Sequence, residues 1–343
     1  MENDTYLAER LAAGNTTRAS PARSGYDLPV YGLDNGQFYV IHVAALICIL
    51  SSFCCALTTL ICSFRSHKRR FFLWSQSDRI VVYLAFCDLL FNVSHSMDHL
   101  HYALQRGHVT PPALCAFYGF MLSEFISAQN LLVHITAINA CLLVYRRHAL
   151  NFGTCDWRLL SYTFGTPFVF GTVVAAAGGF GPTGTFCYFD AVHGTVASLI
   201  FTTMALGVVL VSCAVLYVFT WLKIYREARH NERVLGHSAL SGAVLAAAKT
   251  CLLLVAAFFV QWWAMALYGT WQLVQPPPQL LFQFVTTFSN TGGVLNLIVF
   301  CIIYRRRKAR REMRETNTAG SNTTNDAMLV PPVVKMPATS CVT

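Results

Sequence analysis

Seven blocks of almost unbroken apolar sequence divide this chain, at 38–64, 80–104, 115–145, 159–180, 194–224, 243–271 and 280–304. Each reaches the roughly 20 residues that a helix needs to cross a ~30 Å hydrocarbon core. Blocks this long and this uniform predict helices, because backbone groups in lipid must be satisfied within their own segment and barrel strands would be shorter and alternating. The pattern therefore predicts an all-α membrane protein, a seven-transmembrane helix bundle over 38–304. An extracellular segment over 1–37 precedes it, and a basic, disordered tail over 305–343 follows.

Composition strengthens this reading, since 55% of the 343 residues are hydrophobic and only 12% charged, about half the charged share of a soluble domain. The segment 1–37 is polar and holds no apolar stretch before a cleavage site, so the first block is expected to act as the insertion signal. Thirteen cysteines suggest a disulfide scaffold, but most lie inside apolar blocks where a thiol behaves as a small hydrophobe.

Orientation follows from the basic residues, which are retained on the cytoplasmic side. Arg65, Lys68, Arg69, Arg70 and Arg79 flank the first connection, Arg146, Arg147 and Arg158 the third, and Lys223, Arg226, Arg229, Arg233 and Lys249 the fifth. Eight more follow Tyr304, which leaves Arg10, Arg18, Arg23 and Arg106 as the exceptions among 25. The N-terminus is thus expected outside and the C-terminus inside, in a multi-pass plasma-membrane protein. Glycosylation sequons at Asn3 and Asn15 agree. Cys115 and Cys187 both fall on the oxidising side, where a bridge can form; two unpaired thiols are the plainer alternative. The +9 charge does not indicate nucleic acid, because the basic residues sit at helix ends on one side and so match topology and anionic lipid. The run from Arg305 to Arg311 is expected to lie along the inner leaflet as a short interfacial helix.

Candidate chemistry concentrates in the second block, where Asp88, Asn92, His95 and His99 recur at steps of four, three and four to form one polar stripe. Such a stripe must face the bundle interior, and ionisable groups there are functional candidates by default. Interfacial capping is the bland alternative for the outer histidines. Asp98 flanks the stripe. Glu124 lies nine residues past Cys115, roughly 13 Å down the third helix at 1.5 Å per residue, where it is expected to pair with His95 or His99. These four, with Trp262, Trp263 and Gln283, form the candidate ligand-binding set. Asp88, Asn92, His134, Asn290 and Asn296 form a candidate intramembrane switch, although His134 is as readily a helix-packing partner. Ser289-Asn290-Thr291-Gly292-Gly293 is expected to bend the seventh helix.

Enzyme chemistry has one opening, since His95-x-x-x-His99 has the spacing that binds zinc on a helix. Seven-helix zinc hydrolases also place histidine on their final helix, which this chain lacks, and have the opposite orientation. The spacing still suits a regulatory zinc ion at the outer mouth. A small transporter is the third class, but the flanking triplets show no internal repeat. A retinal-binding opsin needs a lysine in the bundle, and the seventh block has none. No enzyme activity, cofactor or resident metal is expected.

Across nearly all of 38–304 the chain resembles G-protein-coupled receptors, and Leu84-Ala85-Phe86-Cys87-Asp88 looks like the second-helix signature of the rhodopsin-like class. It departs from that class in Val144-Tyr145-Arg146-Arg147 and in Asn296-Leu297-Ile298-Val299-Phe300. The long third helix, Trp262 followed by Pro276-Pro277-Pro278, and Ser289, Gly293, Asn296 and Phe300 are closer to the cyclic-AMP-receptor-like group and its animal orphan relatives. The resemblance implies an extracellular ligand and a heterotrimeric G protein as partners, with Arg146, Arg147, Arg229, Arg233 and Lys249 as candidate G-protein contacts. Cyclic AMP itself is not expected as the ligand, because the outer half offers almost no Arg or Lys for a phosphate.

Overall fold

A computed structural model describes residues 22–67, 69–234, 242–271, 273–274 and 278–321. The chain is mostly helical: α1 Phe38–Ser66, α2 Gln76–Gln105, α3 Pro112–Arg146, α4 Thr154–Ala176, α5 running from Thr195 into Leu206–Val234, and α6 Gly242–Trp271. The last apolar block is two helices, α7 Gln279–Ser289 and α8 Gly292–Ser321. Six helices are long and apolar enough to cross a membrane, and α7 with α8, bent by 41°, makes a seventh if they cross together. Large apolar side chains point outward around the bundle, among them Ile47, Leu50, Val173, Val208 and Val211, each more than 60% exposed. A surface this apolar suits lipid and not water. The chain is a multi-pass membrane protein.

Three expectations are corrected. The fourth block stops at Ala176, and Phe180 belongs to a two-stranded antiparallel hairpin, β1 Phe180–Pro182 with β2 Cys187–Phe189, in the register Phe180 to Phe189. The fold is therefore helical with one small strand pair. The basic run after Tyr304 is no separate interfacial helix; α8 continues through it to Ser321, taking in the first residues of the tail expected to be disordered. Two helices also contain π-helical turns, at Ser161–Gly165 and Leu199–Ala205.

The break between α7 and α8 has a local cause. Asn290 Nδ2 donates to the Thr286 carbonyl at 2.5 Å and Thr291 Oγ1 to the Phe288 carbonyl at 2.7 Å. The Asn290 side chain thereby takes over a carbonyl that the interrupted ladder leaves open, while the Phe288 carbonyl also accepts the Thr291 amide at 3.1 Å. The adjoining glycines permit close approach: a Cβ on Gly292 would strike Asp88 and Gln261, and one on Gly293 would strike the Ser52 carbonyl. The main apolar core runs between α2, α3, α5, α6 and α7, with Leu122, Leu132, Leu254 and Trp262 at its centre.

Candidate functional site

One end of the bundle is lidded. Cys115 and Cys187 are joined by a disulfide, and the Cys187 amide donates to Asp98 Oδ2 at 2.9 Å, so the hairpin is fixed both to α3 and to α2. Asp190 accepts the Val192 and His193 amides at 2.9 Å and, through its other oxygen, the Gly25 amide at 2.9 Å. That bond draws the segment before α1 over the hairpin. Tyr26 OH donates to the Val109 carbonyl at 3.0 Å. Burial, with the Asp190 and Asp98 carboxylates nearby, pushes the Tyr26 phenol up to about 12.

Beneath the lid lies a chain of imidazoles. His42 Nδ1 is 2.8 Å from His99 Nδ1, His99 Nε2 is 3.0 Å from His95 Nε2, and His95 Nδ1 is 3.0 Å from Asn290 Oδ1. Asn290 uses its Nδ2 as a donor to Thr286, so its Oδ1 is an acceptor and His95 Nδ1 must carry the hydrogen. With every ring neutral, the remaining hydrogens are then forced: His99 donates from Nε2, and His42 donates from Nδ1. His42 Nε2 is left as a buried acceptor with no hydrogen-bond partner. The wire has one open end.

Nearer the middle of the bundle, Asp88 accepts Gln129 Nε2 at 2.9 Å and Asn296 Nδ2 at 2.5 Å. Gln261 Nε2 in turn donates to Gln129 Oε1 at 3.3 Å and to the Ser289 carbonyl at 3.1 Å. Four residues along α2, Asn92 Nδ2 donates to Ser52 Oγ at 3.1 Å, and the Gly293 amide donates to the same oxygen at 2.9 Å. All of these side chains are buried. The network ties α1, α2, α3, α6 and both halves of the broken helix together, the arrangement that makes a buried polar group both costly to disturb and specific in its geometry.

At the opposite, basic end the helices are closed. Val144, Ile224, Ala248 and Leu252 from α3, α5 and α6 form a buried apolar cluster of their own, and Tyr145 OH donates to the Phe219 carbonyl at 3.2 Å. Arg79 grips Asp156 with Nε at 2.6 Å and Nη2 at 2.8 Å, and Arg307 meets Asp78 at 2.6 Å.

No protein-family model and no curated protein matches this chain.

The predicted stripe lies on one buried face, but its four members divide between two networks: His95 and His99 in the imidazole wire, Asp88 and Asn92 in the amide network. Asn290 joins the first and Asn296 the second. Asp98 holds the hairpin instead of a histidine. Glu124 Oε2 is buried without a hydrogen-bond partner, and neither His95 nor His99 takes the carboxylate expected for it. His95 and His99 meet Nε2 to Nε2 at 3.0 Å and share a hydrogen there; among the described residues no cluster of three or more His, Cys, Asp or Glu could hold a metal ion. Trp262 is fully buried, 6.4 Å from the Phe91 ring, whereas Trp263 is 39% exposed and turned against Phe284 and Phe288. Gln283 and His134 are partly buried and belong to neither network. Arg146, Arg147 and Lys249 are exposed at the basic end, and Arg229 and Arg233 lie on the extension of α5. Asn3, Asn15, Pro276 and Pro277 lie outside the described residues. The sequence reading missed His42, a lone ionisable residue in the apolar first block; the rule that flagged the second helix applies to it equally.

Proposed function

We propose that the chain is a G-protein-coupled receptor in the plasma membrane, with its seven spans as predicted, the lidded end outside and the basic end toward a heterotrimeric G protein. The observation that carries this reading is the Asp88 network. It links six helices midway between a disulfide-pinned lid and a basic end where four apolar side chains from α3, α5 and α6 close together. Moving α6 at the basic end requires Val144, Ile224, Ala248 and Leu252 to part, and any such movement is felt at Gln261, three turns along the same helix. A ligand at the lidded end can drive that opening only by binding the open packing better than the closed one. Arg146, Arg147 and Lys249, exposed beside the apolar cluster, are placed to meet the partner once it opens. Among the described residues no group of three or more His, Cys, Asp or Glu supports the zinc-hydrolase alternative, and no second broken span supports the transporter alternative.

The test is nucleotide exchange. Membranes carrying the chain should accelerate GTP-analogue uptake on at least one purified heterotrimeric G protein, and Asp88→Asn should reduce the rate at matched expression. Stoichiometric zinc in the purified protein with no exchange on any G-protein class would sink this reading.

A further inference from the structure

Beside His95 and Trp262 of the candidate ligand set there is almost no space. The void enclosed by Phe91, His95, Phe186, Trp262 and Ser289 measures about 20 Å³, room for one water, because Phe186 of the hairpin sits 5.8 Å from the His95 ring and 6.4 Å from that of His99. The larger void lies on the other side of the same residues. It measures about 230 Å³ between the hairpin, the first turns of α5 and the end of α6, a little below the ~300 Å³ at which drug-sized pockets begin. Phe186, Tyr188 and Met265 form the wall common to both voids.

The chemistry of the larger void is well defined. Among the described residues no Lys, Arg or His lines it. Its one carboxylate among the described residues, Asp190, has both oxygens engaged by backbone amides that anchor the hairpin, so an ionic ligand would have to compete with those amides for it. What the void does offer is hydroxyl groups on an apolar wall. Tyr188 OH accepts a long contact of 3.5 Å from Thr202, which leaves its own hydrogen to donate; Ser198 and Thr203 stand nearby. Thr202 and Thr203 lie in the π-helical turn Leu199–Ala205, and π-turns tend to mark functional positions. The floor is kept open by Gly269, where a Cβ would come within 2.8 Å of Thr203 Oγ1. On the outer face of the same stretch Val196 and Met204 are strongly exposed, so the surroundings are apolar.

We propose that this void binds a small uncharged amphipathic molecule, apolar along its length and carrying an oxygen acceptor that takes the Tyr188 hydroxyl hydrogen. Its occupant presses on Phe186, Tyr188 and Met265, and through them on His95 and Trp262. The site stands on its own geometry; its coupling to signalling rests on the receptor reading.

The probe is decan-1-ol, with a diazirine-bearing analogue for photolabelling of the purified full chain in vesicles. Label should concentrate in peptides covering 195–206 and 262–271 and be competed by decan-1-ol, but not by decanoate or decylammonium of equal chain length. Tyr188→Phe should weaken competition roughly 2- to 10-fold, the worth of one neutral hydrogen bond, and Ser198→Phe should abolish the labelling by filling the space. If Ser198→Phe does not yield monodisperse protein, Thr203→Leu takes its place. Label spread evenly over the lipid-facing helices, equal competition by the charged chains, or unchanged label in the filled variant would each overturn the proposal. Labelling needs no G protein, so specific label without nucleotide exchange upholds the site and removes the receptor reading, while exchange without label does the reverse.

Discussion

His42 and His99 meet Nδ1 to Nδ1 at 2.8 Å, fully buried, from two different helices and 57 residues apart. One of two facing nitrogens must carry a hydrogen and the other must not, so the pair fixes the tautomer of everything linked to it. Around His42 stand His99 and Tyr102 of α2, with Phe38 on its own helix and Asn290 of α7 at the far end of the wire; Asp98 on α2 is turned to the hairpin. The only nitrogen in the wire free to take a proton is His42 Nε2.

The first prediction concerns acid. A proton on His42 Nε2 would add a charge to a wire that the two packings hold differently, so basal nucleotide exchange in the wild type should change as pH is lowered stepwise into the acid range. His42→Phe removes the open end and should flatten that curve, and His99→Ala should do the same by cutting the wire. Superimposable wild-type and His42→Phe curves would reduce the wire to packing.

Asp88→Asn is the second test. The aspartate accepts two amides at once, from Gln129 and Asn296, and the substituted amide would point an N–H at one of those donors. A lost and opposed buried hydrogen bond costs about 1–3 kcal/mol. Thermal unfolding of the purified variant should fall accordingly. Asp88→Ala, which leaves both donors unpaired, should fall at least as far.

Third, peptide mapping of non-reduced protein should recover Cys115 linked to Cys187. Asp98→Ala then removes the acceptor of the Cys187 amide, at a cost of about 1–3 kcal/mol, or roughly 5- to 150-fold faster amide exchange across the hairpin. Asp98→Asn keeps an acceptor oxygen and should exchange more slowly than Asp98→Ala.

Fourth, the N-terminal segment should be glycosylated at Asn3 or Asn15, and N-glycosidase treatment of intact cells should shift the protein to faster gel migration. An N-terminal tag reachable only after permeabilisation would reverse the proposed topology. The Tyr26 phenol, raised from 10 to about 12, favours its neutral form in the folded chain. Its contribution is therefore complete below pH 10 and lost as pH rises through about 12. At neutral pH, Tyr26→Phe should increase proteolysis between residues 22 and 37.

Much of this was legible in the sequence because lipid is a severe solvent. Seven apolar blocks and one-sided basic flanks leave few folds, and a polar stripe at helical spacing has to turn inward. The stripe's division was not legible, since whether His95 meets Glu124 or His42 depends on how α1, α2 and α3 are rotated, and helix periodicity carries no information about that rotation. The hairpin was hidden for another reason: Phe180 read as the apolar end of a span and the residues after it as a plain loop, and only the glycines around them hinted at a turn. His42 escaped because one histidine in an apolar block makes no pattern.

The break at Asn290 gives α8 a pivot at one end and an anchor at the other. From Gly292 to Arg307 the helix is about 22 Å long at 1.5 Å per residue, so a change of about 10° in the bend swings Arg307 sideways by about 4 Å. Its 2.6 Å contact with Asp78 cannot survive that swing. In that geometry the contact would act as a latch on a lever whose short arm is the Asp88 network, and a shift of well under an ångström beside Gly292 would be magnified at the other end into the release of an arginine.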